Sequence, residues 1–129
     1  MSKTKNIEET EVLEEREVEV LPQEEGQVIV HCIYRPNEIY ELIRIWKSTF
    51  LCDQNSNHRS KLLQAYNISL YPEFIKLWNR KTHRFTLVFS SLPKSCKKFD
   101  LIEDIPEPGG FAVYNILRND TDIYTVEVD

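Results

Sequence analysis

The sequence is poor in the features that most readily reveal chemistry. It has three glycines in 129 residues, three cysteines without CxxC spacing, and no apolar run long enough to cross a bilayer. Each shortage excludes something. A phosphate-cradling loop needs several glycines ahead of a helix, and only Gly109 and Gly110 are adjacent, with strand-like Phe111, Val113 and Tyr114 after them. Cys32, Cys52 and Cys96 are an odd set, better suited to free or buried thiols than to a disulfide scaffold. The opening MSKTKNIEETEVLEE lacks the apolar stretch of a secretory signal, so cytoplasmic residence without membrane insertion is expected, and the sequons at Asn67 and Asn119 then stay unused.

What is present is core material. Hydrophobic residues make up 41% of the chain, with six tyrosines, six phenylalanines and two tryptophans, enough for one ordinary core. The net charge of −5 comes largely from nine glutamates between Glu8 and Glu25, which leaves a nearly balanced body. Strong attraction to a polyanion is not expected from such a balance.

Two-residue alternation dominates the rest. Residues 1–10 read as a flexible polar terminus and 11–129 as a single β-rich domain. A half-exposed strand is predicted over Arg16 to Leu21, followed by a turn from Pro22 to Gly26. QVIVHCIY then places Val28, Val30, Cys32 and Tyr34 on one face and Ile29, His31 and Ile33 on the other. Ile39 to Cys52 reads as an interior strand, with a helix over Glu38 to Trp46 as the alternative. Asp53 to Arg59 is a polar loop. Beyond it, LLQAYNISLYPEFIKLW suggests a short helix or irregular edge strand and then one helical turn from Pro72 to Trp78. Strands follow at Phe85 to Phe89, Phe99 to Ile102, Phe111 to Ile116 and Ile123 to Val128. Many short strands with turns between them predict a mainly β protein, an antiparallel β-sandwich with a short helical segment; an open sheet under one helix is the alternative.

The candidate chemistry is sparse. His31 and Cys32 are neighbours, but on a strand their side chains point to opposite faces. Cys96 lies between Lys94 and Lys97-Lys98, a setting that would lower a thiol pKa. Asp53, Asn55 and Asn57 imitate a calcium loop whose glycine and closing glutamate are replaced by His58 and Gln64. His58 and His83 do not define a zinc site. Glu103, Asp104 and Glu107 precede the corner formed by Pro106, Pro108, Gly109 and Gly110, which reads as a reversal leading into a strand.

The segment FTLVFSSLPKSCKKFDLIEDIPEPGGFAVYNI, residues 85 to 116, resembles small β-sandwich domains of Bacteroidetes-type bacteria, some of them free-standing and others similar to accessory regions of thiol-disulfide proteins. The resemblance implies a bacterial β-rich interaction module and transfers no catalytic residue, since CxxC is missing.

The functional expectation is a non-catalytic interaction or ligand-binding module, without cofactor or metal. Its surface residues would be Trp46, Tyr66, Tyr71, Trp78, Phe111 and Tyr114, and its partner a protein, a peptide or a second copy in a homodimer. A small hydrolase or thiol-dependent enzyme is one alternative. The other is a weak nucleic-acid-binding module in which Arg84, Lys97 and Lys98, together with Arg80 and Lys81, contact anions beside stacking aromatics.

Overall fold

A computed structural model describes residues 26–129. The strand expected over Arg16 to Leu21, the turn up to Glu25 and the polar residues 1–10 lie outside the described residues. Within them run nine strands: β1 (Val28–Tyr34), β2 (Tyr40–Ile43), β3 (Thr49–Asp53), β4 (Arg59–Tyr66), β5 (Ile75–Trp78), β6 (His83–Phe89), β7 (Lys98–Glu103), β8 (Ala112–Leu117) and β9 (Ile123–Val128). Among the described residues there is no helix, and none that could cross a membrane.

Seven of the strands form one sheet in the order β8-β7-β3-β4-β6-β1-β9. This corrects the expected sandwich: a single sheet curls into a nearly closed barrel, and β8 and β9 approach one another at its seam. Alternation could not separate the two architectures, because a strand of either kind turns one face inward and the other outward. The curl depends on β1, which pairs antiparallel with β6 on one side and parallel with β9 on the other.

Inward residues meet as the period of two requires. Val28, Val30 and Cys32 of β1 pack with Leu87 and Phe89 of β6, Leu51 of β3, and Phe99 and Leu101 of β7, all completely buried. Phe99 meets Tyr124 of β9 edge to face across the interior, with centroids 5.1 Å apart. A fully buried side chain of this size contributes roughly 1.5–3 kcal/mol relative to exposure, so this cluster is the main stabilising feature. Ile29 and Val88, register partners on the outer face, are also buried, which accounts for the apolar run Val28-Ile29-Val30 at the start of β1.

Three expectations fail between Ile39 and Trp78. The continuous interior strand is two strands, because Thr49 Oγ1 donates to the Trp46 carbonyl (2.6 Å) and Ser48 Oγ to that of Asp104 (2.6 Å), folding residues 46–49 into a turn. Its helical alternative fails as well, since Tyr40–Ile43 pairs antiparallel with β5 in a separate two-stranded sheet. The helical turn expected over Pro72 to Trp78 is therefore the partner strand β5 and its approach. β4, expected as a short helix or an edge, lies inside the sheet between β3 and β6. The small sheet is tied to the barrel at Ile45, whose N–H donates to Ser69 O (3.0 Å) and whose carbonyl accepts from Tyr71 N–H (2.8 Å).

The registers define two ends. One carries the Asp53–Arg59 turn, the Ser90–Lys97 connection and the Leu117–Ile123 turn, and it is sealed by polar groups. Arg118 holds Asp122 in two hydrogen bonds (2.6 and 3.0 Å) while its Nη1 donates to the carbonyls of Pro93 (2.8 Å) and Cys96 (3.2 Å). The Tyr124 hydroxyl donates to Asp122 (2.9 Å) and accepts from Asn119 N–H (3.0 Å). Asp53 accepts from Asn55 N–H (3.0 Å) and the Ser56 hydroxyl (2.7 Å), which accounts for the calcium-like spacing as a turn.

Candidate functional site: the open mouth of the barrel

The opposite end is a cavity of about 400 Å³. β1 delivers Tyr34, β6 Phe85, β7 Glu103 and β9 Val128 from the barrel rim; Ile43 of β2 and Phe74 ahead of β5 come from the small sheet, and Phe111 from the proline and glycine corner. The β2–β5 pair thus stands over the mouth as a flap. It exposes several large apolar side chains, Ile39, Tyr40, Leu42 and Trp78, the last by 57%, and Leu42 also lines the mouth. Tyr40 and Trp78 are register partners whose rings lie 4.6 Å apart.

Along the rim runs an aromatic stack with a cation in it. Trp46 stacks on Tyr71 at 3.9 Å, and the Arg44 guanidinium sits 4.5 Å from the Tyr71 ring and 4.1 Å from that of Phe74. Arg44 Nη1 also donates to the Pro72 carbonyl (3.2 Å). Such cation–π contacts contribute about 0.5–1 kcal/mol each at a partly open site.

Glu103 is the polar centre. It is only 8% exposed, and its carboxylate accepts the backbone N–H of Trp46 (2.9 Å) on one oxygen and that of Phe111 (3.3 Å) on the other. Burial raises its pKa above the usual carboxylate range, opposed by those two N–H groups and by Arg44 and reinforced by Glu107. The glycine corner is built around this residue. A Cβ on Gly110 would lie 2.5 Å from the Glu103 carbonyl oxygen, so only glycine permits that approach, and Gly109 sits at φ +101°. The corner leads into β8, as its composition indicated.

The flap is anchored by a second carboxylate. Glu41 accepts the Tyr34 hydroxyl (2.5 Å) and the N–H groups of Asn37 (2.9 Å) and Glu38 (2.8 Å). Burial and the adjacent Glu41 push the Tyr34 phenol up to about 12, while the donated phenol, then the backbone N–H groups, hold Glu41 below its ordinary value.

The expected surface residues divide. Trp46, Tyr71 and Phe111 meet at the mouth, and Trp78 lies on the flap beside it. Tyr66 lies on the barrel wall, its hydroxyl donating to Gln64, and Tyr114 is exposed on β8. Arg84 begins β6 at the open end, whereas Lys97 and Lys98 approach β7 at the sealed end, so the three do not share a surface. Arg44, Phe74 and Tyr34 were not anticipated; the apolar period hid the first two inside supposed regular elements.

The chemical constellations come apart. His31 bonds Thr86 Oγ1 through Nδ1 (2.8 Å) while Cys32 is wholly buried, and burial drives its thiol far above the normal range. The Cys96 thiol is raised, first by burial and then by its hydrogen-bonding neighbour Asp53, so the flanking lysines do not give it the lowered pKa their charge could have produced. His58 Nε2 contacts Ser60 Oγ (3.0 Å) and the Ser91 carbonyl (3.1 Å), and His83 Nε2 the Asn67 carbonyl (2.7 Å). Among the described residues no three potential ligands gather for a metal. Asp104 faces Arg59 (3.5 Å), away from Glu103. Comparison with protein-family models, with curated proteins and with solved structures finds no match for this chain.

Proposed function

We propose that this protein is a non-catalytic binding module that receives a small, mainly apolar ligand in the open mouth of its barrel. The observation that carries the reading is the cavity of about 400 Å³ walled by Tyr34, Ile43, Trp46, Phe74, Phe85 and Phe111, within the size range of small-molecule sites. The barrel supplies a rigid rim and the two-stranded flap an adjustable wall, a division suited to holding a ligand without reacting with it. The three free thiols suit a reducing compartment, so cytoplasmic residence belongs to the proposal.

The test is titration of the full chain with N-phenyl-1-naphthylamine, a neutral apolar fluorophore, with amide NMR shifts recorded alongside. Saturable fluorescence with shifts centred on Trp46, Phe74 and Phe111 is expected. Shifts confined to the sealed end, or no saturation, would overturn the reading.

A second reading, self-association, is supported by the exposed Ile39, Tyr40, Leu42 and Trp78 on the flap. Sedimentation over a hundredfold concentration range tests it: a dimer abolished by Trp78→Glu is expected, and a monomer throughout rejects it.

A further inference from the structure

We infer that the mouth prefers a ligand with an apolar body and a positively charged, hydrogen-donating end, such as an alkylammonium, with that end seated at Glu103. This rests on the proposed binding role and adds the chemical class.

The argument is an inventory of donors and acceptors. The ionisable side chains lining the mouth are the carboxylates of Glu103, Glu107 and Asp129, the phenol of Tyr34 and the guanidinium of Arg44. Arg44 is positioned between the Tyr71 and Phe74 rings and bonded to the Pro72 carbonyl, and its single positive charge, which already acts on Glu103, stands against three carboxylates. The Tyr34 hydroxyl is donated to Glu41. The backbone N–H groups of Trp46 and Phe111 are donated to Glu103.

Acceptors are less fully used. An ionised carboxylate offers about four lone-pair sites, and Glu103 receives one backbone N–H on each oxygen, which leaves capacity for further donors. Glu107 and Asp129 add negative charge at the same rim. An anionic ligand would meet three carboxylates against the one guanidinium of Arg44, an unfavourable balance of charge. A cation would relieve the buried carboxylate and pack on the aromatic walls of Phe85 and Phe111, whose ring faces attract positive charge.

Three probes of equal length decide it: octylammonium, octanol and octanoate, each titrated into the full chain at pH 7 and followed by Trp46 fluorescence in a Trp78→Phe background. Octylammonium is expected to bind about tenfold more tightly than octanoate, with octanol between them. Glu103→Gln should bring the octylammonium-to-octanoate ratio close to unity. Because Glu103 also brackets two backbone segments, the paired variant Glu107→Gln with Asp129→Asn provides a second reading, expected to reduce the ratio about threefold with the amide spectrum unaltered. Equal or tighter binding of octanoate, or a ratio indifferent to both variants, would overturn the charge preference while sparing the binding role. Failure of all three probes to bind would overturn the binding role and the preference with it.

Discussion

The two ends of the barrel are built from the same nine-strand fold by opposite means. At one end Arg118, Asp122, Tyr124 and Asn119 form a partly buried network that also grips the carbonyls of Pro93 and Cys96. At the other, aromatic side chains surround a space, and Glu103 bonds only to the backbone around it. The carboxyls of the ends are even displaced in opposite directions. The Asn55 N–H and the Ser56 hydroxyl hold Asp53 below its ordinary pKa, and burial holds Glu103 above. The contrast teaches that specific polar order is concentrated where the chain reverses tightly, while aromatic and apolar side chains line the end that stays open.

Breaking the sealed end should have the largest effect. Arg118→Ala removes both bonds to Asp122 and strands two carbonyls, and a loss of about 3 kcal/mol in urea denaturation is expected. A loss near zero would mean the network is incidental.

The corner at the open end comes next. Gly110→Ala forces a Cβ against the Glu103 carbonyl, at an expected cost of about 2 kcal/mol with weakened ligand binding at the mouth. Gly109→Ala, which meets no atom within 4 Å but occupies φ +101°, should cost about 1 kcal/mol and spare binding. Equal effects of the two substitutions would deny the close approach its special role.

The opposite carboxyl shifts give a pH test of smaller size. Asp53, with its native value lowered, contributes stability that is complete above its unfolded value and is lost as pH falls through the native one. Glu103, with its native value raised, contributes stability that is complete below its unfolded value, about 4.3, and is lost as pH rises through the native one. Urea midpoints measured across the acid and neutral range should show Asp53→Asn flattening the acid limb and Glu103→Gln flattening the decline that sets in as pH rises past the unfolded carboxyl value. His58 and Cys96 help to lower the first group, while Arg44 lowers and Glu107 raises the second, so neutralising Arg44 should enlarge the Glu103 slope, and replacing Glu107, His58 or Cys96 should reduce the slope of the group it faces.

The smallest effect on stability sharpens the contrast most. Leu42→Ser and Trp78→Ser alter exposed flap residues and should change folding by no more than about 0.5 kcal/mol. If the flap serves the mouth, Leu42→Ser, which alters a lining residue, weakens apolar ligand binding several-fold all the same.

Much of the barrel wall was legible. β1, β6, β7 and β9 appear in the sequence within a residue or two of their observed limits, because half-buried strands print their period on the chain, and the separation of His31 from Cys32 followed from that period. The flap was not legible. Tyr40–Ile43 has helical as well as strand spacing, and it is a strand because it pairs with Ile75–Trp78, more than thirty residues away. The mouth was half legible: Trp46, Tyr71, Phe111, Glu103 and Glu107 stood out as residue types, but nothing local brought Arg44 between Tyr71 and Phe74.

By itself the sequence determined which side chains face in and which face out along β1, β6, β7 and β9, where the Asp53–Arg59 turn falls, and that a glycine pair turns into a strand. Those properties depend on neighbours one to four residues apart. Only the tertiary structure decided that one sheet curls on itself, that β1 and β9 lie parallel across ninety-odd residues of chain, and that one end is sealed while the other stays open. Such pairings are set by the free energy of the whole packed core, and several arrangements of the same alternating strands satisfy the local rules equally well.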